Sequence, residues 1–404
     1  MHARSGRATL ERVHAFRPFA LGGVLWVALG AALPSVAAAR TEATSIDGLS
    51  APIVRVNLEQ ANVTIRTWSR AEVKVEGDAG TFVVLHEIRR IPEYLPPAPI
   101  APAVTQGPEG NTITLPAESF VIATVHPGPR DFVEINAPGS DQPAAAFAAF
   151  AGPMIVTVPS DSVLVAAHLV NGSIDIDNYH GGTFIATVRA GQVSLDDVGG
   201  DGFVQVIRGP LVVTNSNLNR LRARTALGNM LFRRCRSRQI QASSVDGSIV
   251  YDAGSFEPGL ARFDSARGDV AIGATGALQL NGRVSGGGRI YTLFDRGERV
   301  ETGSYEAKAQ LDGGGPVVNA SSTAGNVYLY DGSLRAHGRL SPEWRAPRQI
   351  LNGRDVPEAG YERFHGYAPA RPHARRRPAG FARKPSRQGA RARNAVLRGH
   401  APAR

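Results

Sequence analysis

The sequence predicts an all-β protein whose main part is a single-stranded parallel β-solenoid (β-helix). A unit of the form Gly-x-apolar-x-apolar recurs about every nineteen residues, which is typical of repeats that bury their apolar faces against their neighbours. Within each unit apolar and polar residues alternate with period two, as in half-buried strands. The 404 residues include 45 glycines but only 3 methionines and 1 cysteine, a composition that favours turn-rich β structure.

The first segment, residues 1–39, is predicted to be a signal peptide. Several arginines precede an apolar run from Phe19 to Leu33, and small residues follow up to Ala39. This order describes a secretory leader, and the alternative is an anchor that stays in the membrane. We expect cleavage near Ala39 and an exported protein in the periplasm, the cell envelope or the extracellular space. No transmembrane span is expected in the mature chain.

Residues 45–153 are predicted to form a short β-rich section ahead of the repeats. The segments 53–58 and 62–68 alternate apolar and polar residues, as short strands do. A proline-rich insertion at 92–108 interrupts the strands and is interpreted as a loop. The strand Ile155–Pro159 is then expected to lead into the repeats.

The repeats occupy residues 154–335 and are predicted to form about nine or ten coils, at about nineteen residues each. Residues two and four places after each glycine are almost all apolar, so we expect them to point inward together. The glycine is expected at the turn into this strand, where φ is positive or another backbone comes close. The spacing of 37 residues between the last two glycines is interpreted as two periods with one glycine missing. The repeat glycines are Gly172, Gly191, Gly209, Gly228, Gly247, Gly268, Gly288 and Gly325. A β-sandwich or barrel is the alternative architecture.

The outward position, three residues after each glycine, changes along the array. It is polar at Asp175 and Ser194 and aromatic at Tyr291 and Tyr328. An apolar outer row is either covered by another segment of the chain or forms a contact surface.

The last segment, residues 336–404, is rich in Arg, Pro and Ala and is predicted to be disordered. Residues 341–404 contain 15 Lys/Arg and 4 Asp/Glu, a net charge of +11, while the whole chain carries +10. The preceding part therefore sums to −1, and the basic character belongs to the tail alone. Possible contacts with anionic polymer are Arg375, Arg376, Arg377, Arg383 and Lys384.

The arrangement resembles the bacterial putative-adhesin family of DUF4097/DUF2807-type β-solenoid domains. Three features carry the resemblance: the strand group between Val54 and Val75, the strand Ile155–Pro159 that ends in proline, and the Gly-x-Ile/Val array. The resemblance covers about residues 50–335. It implies a β-solenoid fold and an envelope location, and it transfers no catalytic residues.

The sequence offers only weak candidates for chemistry. Asp177 and Asp196 each follow their glycine by five residues, so they are expected to stack about 5 Å apart. Together with Asp175 and Asp197 they could serve a polysaccharide-processing enzyme or hold a divalent cation. A solvated Asp-rich turn explains the same residues. No catalytic residue, cofactor site or other metal site is predicted.

Two further features have a structural and a functional interpretation. An arginine run from Arg220 to Arg238 could bind anionic polymer, or its members could pair with acids on neighbouring coils. Cys235 lies among these arginines, which would lower the pKa of an exposed thiol. Burial of Cys235 in the wall of the solenoid is the simpler interpretation.

These observations predict a secreted or periplasmic, adhesin-like binding or structural protein without catalytic activity. Its expected partner is an anionic envelope polymer or another surface protein, with no specific indication of nucleic-acid binding. The alternatives are the Asp-cluster enzyme and a structural rod that self-assembles end to end.

The basic tail should contribute salt-sensitive binding to anionic polymer. Deletion of residues 341–404 removes a net charge of +11 and should abolish most retention on an anionic matrix. Retention of the full chain should fall steeply as salt screens the charges. The measurement is elution salt concentration for both proteins, and equal elution of the two would contradict the assigned role.

Overall fold

The computed structural model describes residues 41–91, 98–100, 102–107, 110–116, 118–120, 128–138, 151–294 and 299–332. The predicted signal peptide and the predicted basic tail lie outside these residues. The described part consists of strands and turns and contains no helix, so the all-β prediction is confirmed.

The strands follow one another along the chain with short connections in the repeats. The first half contains β1 (Thr41–Asp47), β2 (Ile53–Trp68), β3 (Glu72–Asp78), β4 (Val83–Ile91), β5 (Ala98–Ile100), β6 (Ala103–Gln106), β7 (Thr112–Leu115), β8 (Glu118–Phe120), β9 (Gly128–Asn136), β10 (Ala151–Pro159), β11 (Leu164–Asp177), β12 (Thr183–Asp196) and β13 (Gly199–Arg208). The second half contains β14 (Leu211–Thr214), β15 (Asn217–Leu227), β16 (Met230–Arg233), β17 (Arg236–Asp246), β18 (Ile249–Phe256), β19 (Ala261–Arg267), β20 (Val270–Ala274), β21 (Leu278–Val284), β22 (Ile290–Leu293), β23 (Arg299–Thr302), β24 (Glu306–Leu311), β25 (Val317–Ser322) and β26 (Val327–Asp331).

Two parallel ladders run through the repeats. In the first ladder β11, β12, β13, β15, β17 and β19 pair in succession. In the second ladder β12, β14, β16, β18 and β20 pair in succession. The long strand β12 takes part in both ladders, since its residues 183–190 pair with β13 and its residues 193–196 pair with β14. Because β17 also pairs with β18, the strands β12, β13, β15, β17, β18, β16 and β14 close a parallel ring, and the other strands of this sheet bond outside it.

The core lies between the two ladders and contains the inward residues that the sequence predicts. From Ile174 to Leu329 the predicted inward pairs are almost completely buried, and they belong to one cluster with the inward residues of the first ladder. Burial of one such aliphatic side chain contributes about 1.5–3 kcal/mol. The exceptions are Ile290 and Thr292, which are only partly buried. Their strand, β22, pairs in this ladder with β26 alone among the residues that the structure describes.

The repeat glycines form a column in which consecutive backbones touch. A Cβ atom on Gly191 would lie 1.7 Å from the carbonyl oxygen of Gly172, and Gly191 has φ of 145°. The same collision recurs at Gly209, whose Cβ would lie 1.8 Å from the carbonyl oxygen of Gly191. The predicted close approach is therefore the reason for glycine at this position.

The order of the last strands differs from the order that the sequence predicts. Strand β26 pairs with β20, and β22 pairs with β26, so the last repeat of the chain lies between two earlier ones. Accordingly Gly325 approaches the carbonyl oxygen of Gly268, and Gly288 approaches that of Gly325. The interpretation of two periods with a missing glycine is wrong. The additional residues form the antiparallel strands β23 and β24, and β24 pairs with β21 at this end.

At the end of the ladders next to β11, the order of strands in the sheet also differs from their order in the chain. Strand β2 pairs in parallel with β11, and β9 and β10 pair with the opposite side of β2. The strand Ile155–Pro159, part of β10, comes directly before β11 in the chain, as expected, but in the sheet β2 lies between the two. Antiparallel strands follow here as well, since β10 pairs with β3 and β9 with β4.

The insertion at 92–108, where described, contains strands rather than the expected loop. β5 pairs with β8, and β6 pairs with β7 as an antiparallel hairpin that turns between Gly107 and Asn111. Strand β7 forms because apolar and polar residues alternate along it, so that Ile113 and Leu115 point to the same side. These two side chains pack on Ile207 and Ala226 of the first ladder. The hairpin thus covers an apolar part of the ladder's outer side.

Substitution of Gly191 by alanine should destabilise the fold by more than about 2 kcal/mol, because the new Cβ collides with backbone and φ is positive. Gly303→Ala is the matched control, since its Cβ would meet only the Glu306 carbonyl oxygen at 3.4 Å. Chemical denaturation of both variants measures the difference. Equal stability of the two variants would contradict the close approach.

Candidate functional site

The outer side of the first ladder carries two columns of polar side chains. Leu221 and Ala223 point into the core, so the residues between and beside them point outward. Strand register places each outward residue beside its counterpart on the next strand. The first column is Arg222, Gln241, Arg262, Asn319 and Asn281, and the second is Arg224, Ser243, Asp264, Ser321 and Arg283. We call these ten residues the polar outer face.

Hydrogen bonds between strands and within β19 hold these side chains in place. Asn281 Nδ2 donates to Asn319 Oδ1 at 3.0 Å, and Ser321 Oγ donates to Asp264 Oδ1 at 2.5 Å. Arg262 Nε donates to the other oxygen of Asp264 at 2.5 Å. The arrangement therefore exists before any ligand arrives, which reduces the entropy lost on binding.

The polar outer face is cationic and rich in hydrogen-bond donors. Its columns include four arginines and one aspartate. Arg224 is only 3% exposed and donates to Gln205 Oε1 and to the Pro116 carbonyl oxygen, so the other three arginines are the accessible ones. The side chains of Arg262 and Arg283 are 62% and 72% exposed, and Arg283 also pairs with Glu306 of β24 at 2.5 Å. Guanidinium and amide groups can donate to the hydroxyl and carboxylate oxygens of a ligand. Because parallel strands lie about 4.8 Å apart, such donors recur along a line.

Towards β11 the outer side of the first ladder becomes apolar and closed. Ala166, Ile185 and Phe203 occupy the first column's position there and are buried. The guanidinium of Arg224 lies 5.7 Å from the centroid of the Phe203 ring, within cation–π distance. His168 Nδ1 lies 2.6 Å from Thr187 Oγ1, and burial, assisted by the charge of Arg55, lowers the pKa of His168. The polar outer face therefore begins at β15.

Sequence reasoning included Arg222 and Arg224 in the arginine run but did not predict the two columns, because it compared positions counted from the glycines. The columns lie on the strand that precedes each glycine, about six residues upstream, as Arg222 precedes Gly228 and Arg262 precedes Gly268. The available signal was the alternation of apolar with polar residues in segments such as 220–224 and 239–243.

The aspartates of the predicted cluster occupy neighbouring strands. Asp177 and Asp196 are direct partners in the β11–β12 register, and Asp175 is paired in the same register with Ser194. One oxygen of Asp196 accepts hydrogen bonds from Thr214 Oγ1 at 2.5 Å and from Asn215 Nδ2 at 2.7 Å. These donors make Asp196 part of a network between turns.

A column of left-handed residues explains much of the aspartate and asparagine content of these turns. One residue per repeat has φ between 52° and 55°: Asn178, Asp197, Asn215, Arg234 and Ala253. Asn and Asp adopt this conformation more readily than other non-glycine residues. Asp197 therefore fits its position for a conformational reason, and it lies 3.5 Å from His180 Nε2.

Members of the arginine run meet acids on neighbouring strands. Arg220 Nη2 donates to Asp201 at 2.9 Å, and Asp201 is only 8% exposed. Arg233 lies 3.8 Å from Asp252, and Arg236 lies 2.7 Å from Glu257. For these three arginines the pairing agrees with the interpretation of a compensated face.

The apolar outer row of the second ladder is covered. Leu231, Val250 and Ala271 are buried in a cluster that is separate from the main core and that also contains Tyr328. Tyr291 is 37% exposed, and its ring stacks on Tyr328 with centroids 4.9 Å apart. Only the end of this row remains available for contact.

Within the described ranges, no group of three or more His, Cys, Asp or Glu residues is placed to hold a metal ion. No helix there is long and apolar enough to cross a bilayer. The enzyme hypothesis for the Asp cluster stays a prediction. The basic candidates Arg375, Arg376, Arg377, Arg383 and Lys384 lie outside the described residues.

Cys235 is buried, as the simpler interpretation predicts. It is 2% exposed, and its Sγ atom lies 3.5 Å from the carbonyl oxygens of Val213 and Arg233. Burial raises the pKa of the thiol to about 11, although backbone hydrogen bonds and the charge of Arg234 oppose the shift. The thiol is therefore protonated and shielded at neutral pH.

Iodoacetamide should leave Cys235 unmodified in the folded protein at pH 8 and should alkylate it fully in denaturant, as measured by mass spectrometry. Since the thiol pKa rises from 9.0 to about 11 on folding, ionisation should also lower the free energy of unfolding as pH rises through this interval. Fast alkylation of the folded protein would show that the thiol is accessible.

Comparison with known proteins yields little. No family model and no curated protein matches the chain. A solved structure described as a putative cell adhesion protein from Clostridium sporogenes ATCC 15579 aligns with 10% identity over 72% of this chain and 99% of that chain, with a TM-score of 0.21.

Proposed function

We propose that the protein is an exported, adhesin-like binding protein of the cell envelope, without catalytic activity, that holds an extended anionic polysaccharide along its polar outer face. The observation that carries the proposal is the strand register that aligns two columns of hydrogen-bonding side chains across five strands. The predicted secretory leader and the predicted basic tail are consistent with this location and this partner.

The proposed architecture is a single parallel β-solenoid. Strand β11 continues past the unpaired residue Val170, and β12 continues past the unpaired residue Arg189. Each of these long strands therefore contributes one segment to each side of the core. Later repeats use two shorter strands for the same purpose, such as β15 and β16. In this architecture the closed ring of seven strands consists of β12, β13, β15 and β17 on one side of the solenoid and β18, β16 and β14 on the other.

The geometry of the polar outer face suits a polymer better than a small ligand. Equivalent positions recur at the spacing of parallel strands, about 4.8 Å, so a chain molecule lying along the column meets a new donor at each step. Each contact is individually weak because the side chains are exposed. A polymer bound at several positions gains affinity by multivalency.

Charge favours an anionic polymer over a neutral one. The three accessible arginines of the two columns outnumber their single aspartate, and the side chains of Arg262 and Arg283 are largely exposed. A carboxylate on the polymer can replace water around a guanidinium and form two parallel hydrogen bonds. A polyuronate such as alginate therefore serves as the test polymer, and neutral dextran is the comparison.

The double variant Arg262→Ala/Arg283→Ala should elute from immobilised alginate at clearly lower salt than the unchanged protein. Both side chains are largely exposed, so stability should change by less than about 1 kcal/mol. Arg236→Ala is the single-charge control, because Arg236 is also 62% exposed and ion-paired but lies outside the columns.

A second control with Arg236→Ala/Arg238→Ala matches the loss of two charges. If this control and the face variant elute together, binding follows net charge and the polar outer face is not the site. If alginate and dextran retain the unchanged protein equally, the preference for an anionic polymer is wrong.

A further inference from the structure

A cleft lies between the β6–β7 hairpin and the edge of the first ladder. Its volume is about 560 Å³, within the range of small-molecule sites, and it is separate from the polar outer face. The hairpin supplies Val104, Thr105 and Thr112, while strands β11 to β13 supply the opposite wall. The cleft exists because the hairpin packs further along the ladder, on Ile207 and Ala226.

Two guanidinium groups line this cleft. Arg208 is held by the hairpin, since its Nε donates to Thr105 Oγ1 at 2.6 Å and its Nη2 donates to the Gln106 carbonyl oxygen at 3.3 Å. Arg189 is exposed and forms no ion pair or hydrogen bond with any residue that the structure describes. The described residues that line the cleft include no carboxylate, and none of them forms an ion pair with either positive charge there.

Neutral polar and apolar groups complete the lining. The amide of Asn171 lies on the same edge of the ladder as the arginines, one residue after the unpaired position of β11. Val104 and Val170 are 56% and 38% exposed, which is unusual for valine and leaves apolar surface open inside the cleft. A ligand that suits this lining has a carboxylate for the guanidinium groups, hydroxyls for the amide and threonine side chains, and C–H faces for the valines.

We propose that this cleft binds the carboxylate-bearing end of a short acidic saccharide. The carboxylate pairs with Arg189 in the fork geometry that guanidinium favours, and Arg208, fixed by the hairpin, contributes the second charge. Asn171 and the threonine hydroxyls bind sugar hydroxyls, and the two valines contact the C–H face of the ring. The cleft differs from the polar outer face in recognising a chain end or a short oligomer.

The test is calorimetric titration of the full chain with trigalacturonate. Arg189→Gln should weaken binding at least about tenfold, the loss expected for a charged hydrogen-bonded pair. Arg189→Lys should restore only part of the affinity, because lysine keeps the charge but lacks the fork. Arg238→Gln should bind like the unchanged protein, since Arg238 is exposed and does not line the cleft.

The methyl ester of the same trisaccharide and inorganic phosphate distinguish the ligand chemistry. The ester should lose most of the affinity, and phosphate should bind far more weakly than trigalacturonate. Equal binding by Arg189→Gln and Arg238→Gln overturns the site, and equal binding of the ester overturns the role of the carboxylate. If phosphate binds tightly and the trisaccharide does not bind, the cleft is a site for a simple anion and the proposal of a saccharide ligand is wrong. Because the Arg262/Arg283 variant keeps this cleft, failure of the polymer proposal and failure of this one remain distinguishable.

Discussion

The close contact between successive glycine backbones is the constraint on which the rest of the structure depends. At this column a side chain of even one carbon atom would overlap the carbonyl oxygen of the neighbouring repeat, as at Gly191. The contact therefore fixes where each repeat begins relative to the last. A shift by one residue would turn every inward side chain outward, so register at the glycine also determines the core.

The same register determines which side chains become neighbours on the outside. Once Ile240 and Phe263 point inward, Gln241 and Arg262 must lie beside each other on the outer side. The polar outer face is thus a consequence of core packing, and its spacing is that of the backbone. The arrangement of these side chains therefore follows from the strands and not from a loop.

The local features of the fold could be predicted from the sequence, because they depend on nearby residues. The buried pairs from Ile174 onward and the close approach at the repeat glycines follow from alternation and from the size of a Cβ atom. The positions of β26 and β2 could not be predicted in this way. Their pairing joins segments far apart in the chain, as Val270 with Val327, and depends on which strand edges remain open. The left-handed conformation of Arg234 and Ala253 could not be predicted for another reason, because neither residue type favours that conformation.

The exchanged order of strands at both ends restricts how such a chain can change its length in evolution. A duplicated unit between β12 and β20, where pairing follows the chain, adds one level and keeps the order in which the other strands pair. Strand β26 lies between β20 and β22 and pairs with both. A duplication between β20 and β26 would add a strand at this place, and the segment that leads back to β26 would have to become longer. Homologous proteins of different length should therefore differ in the number of middle repeats and share the same two ends.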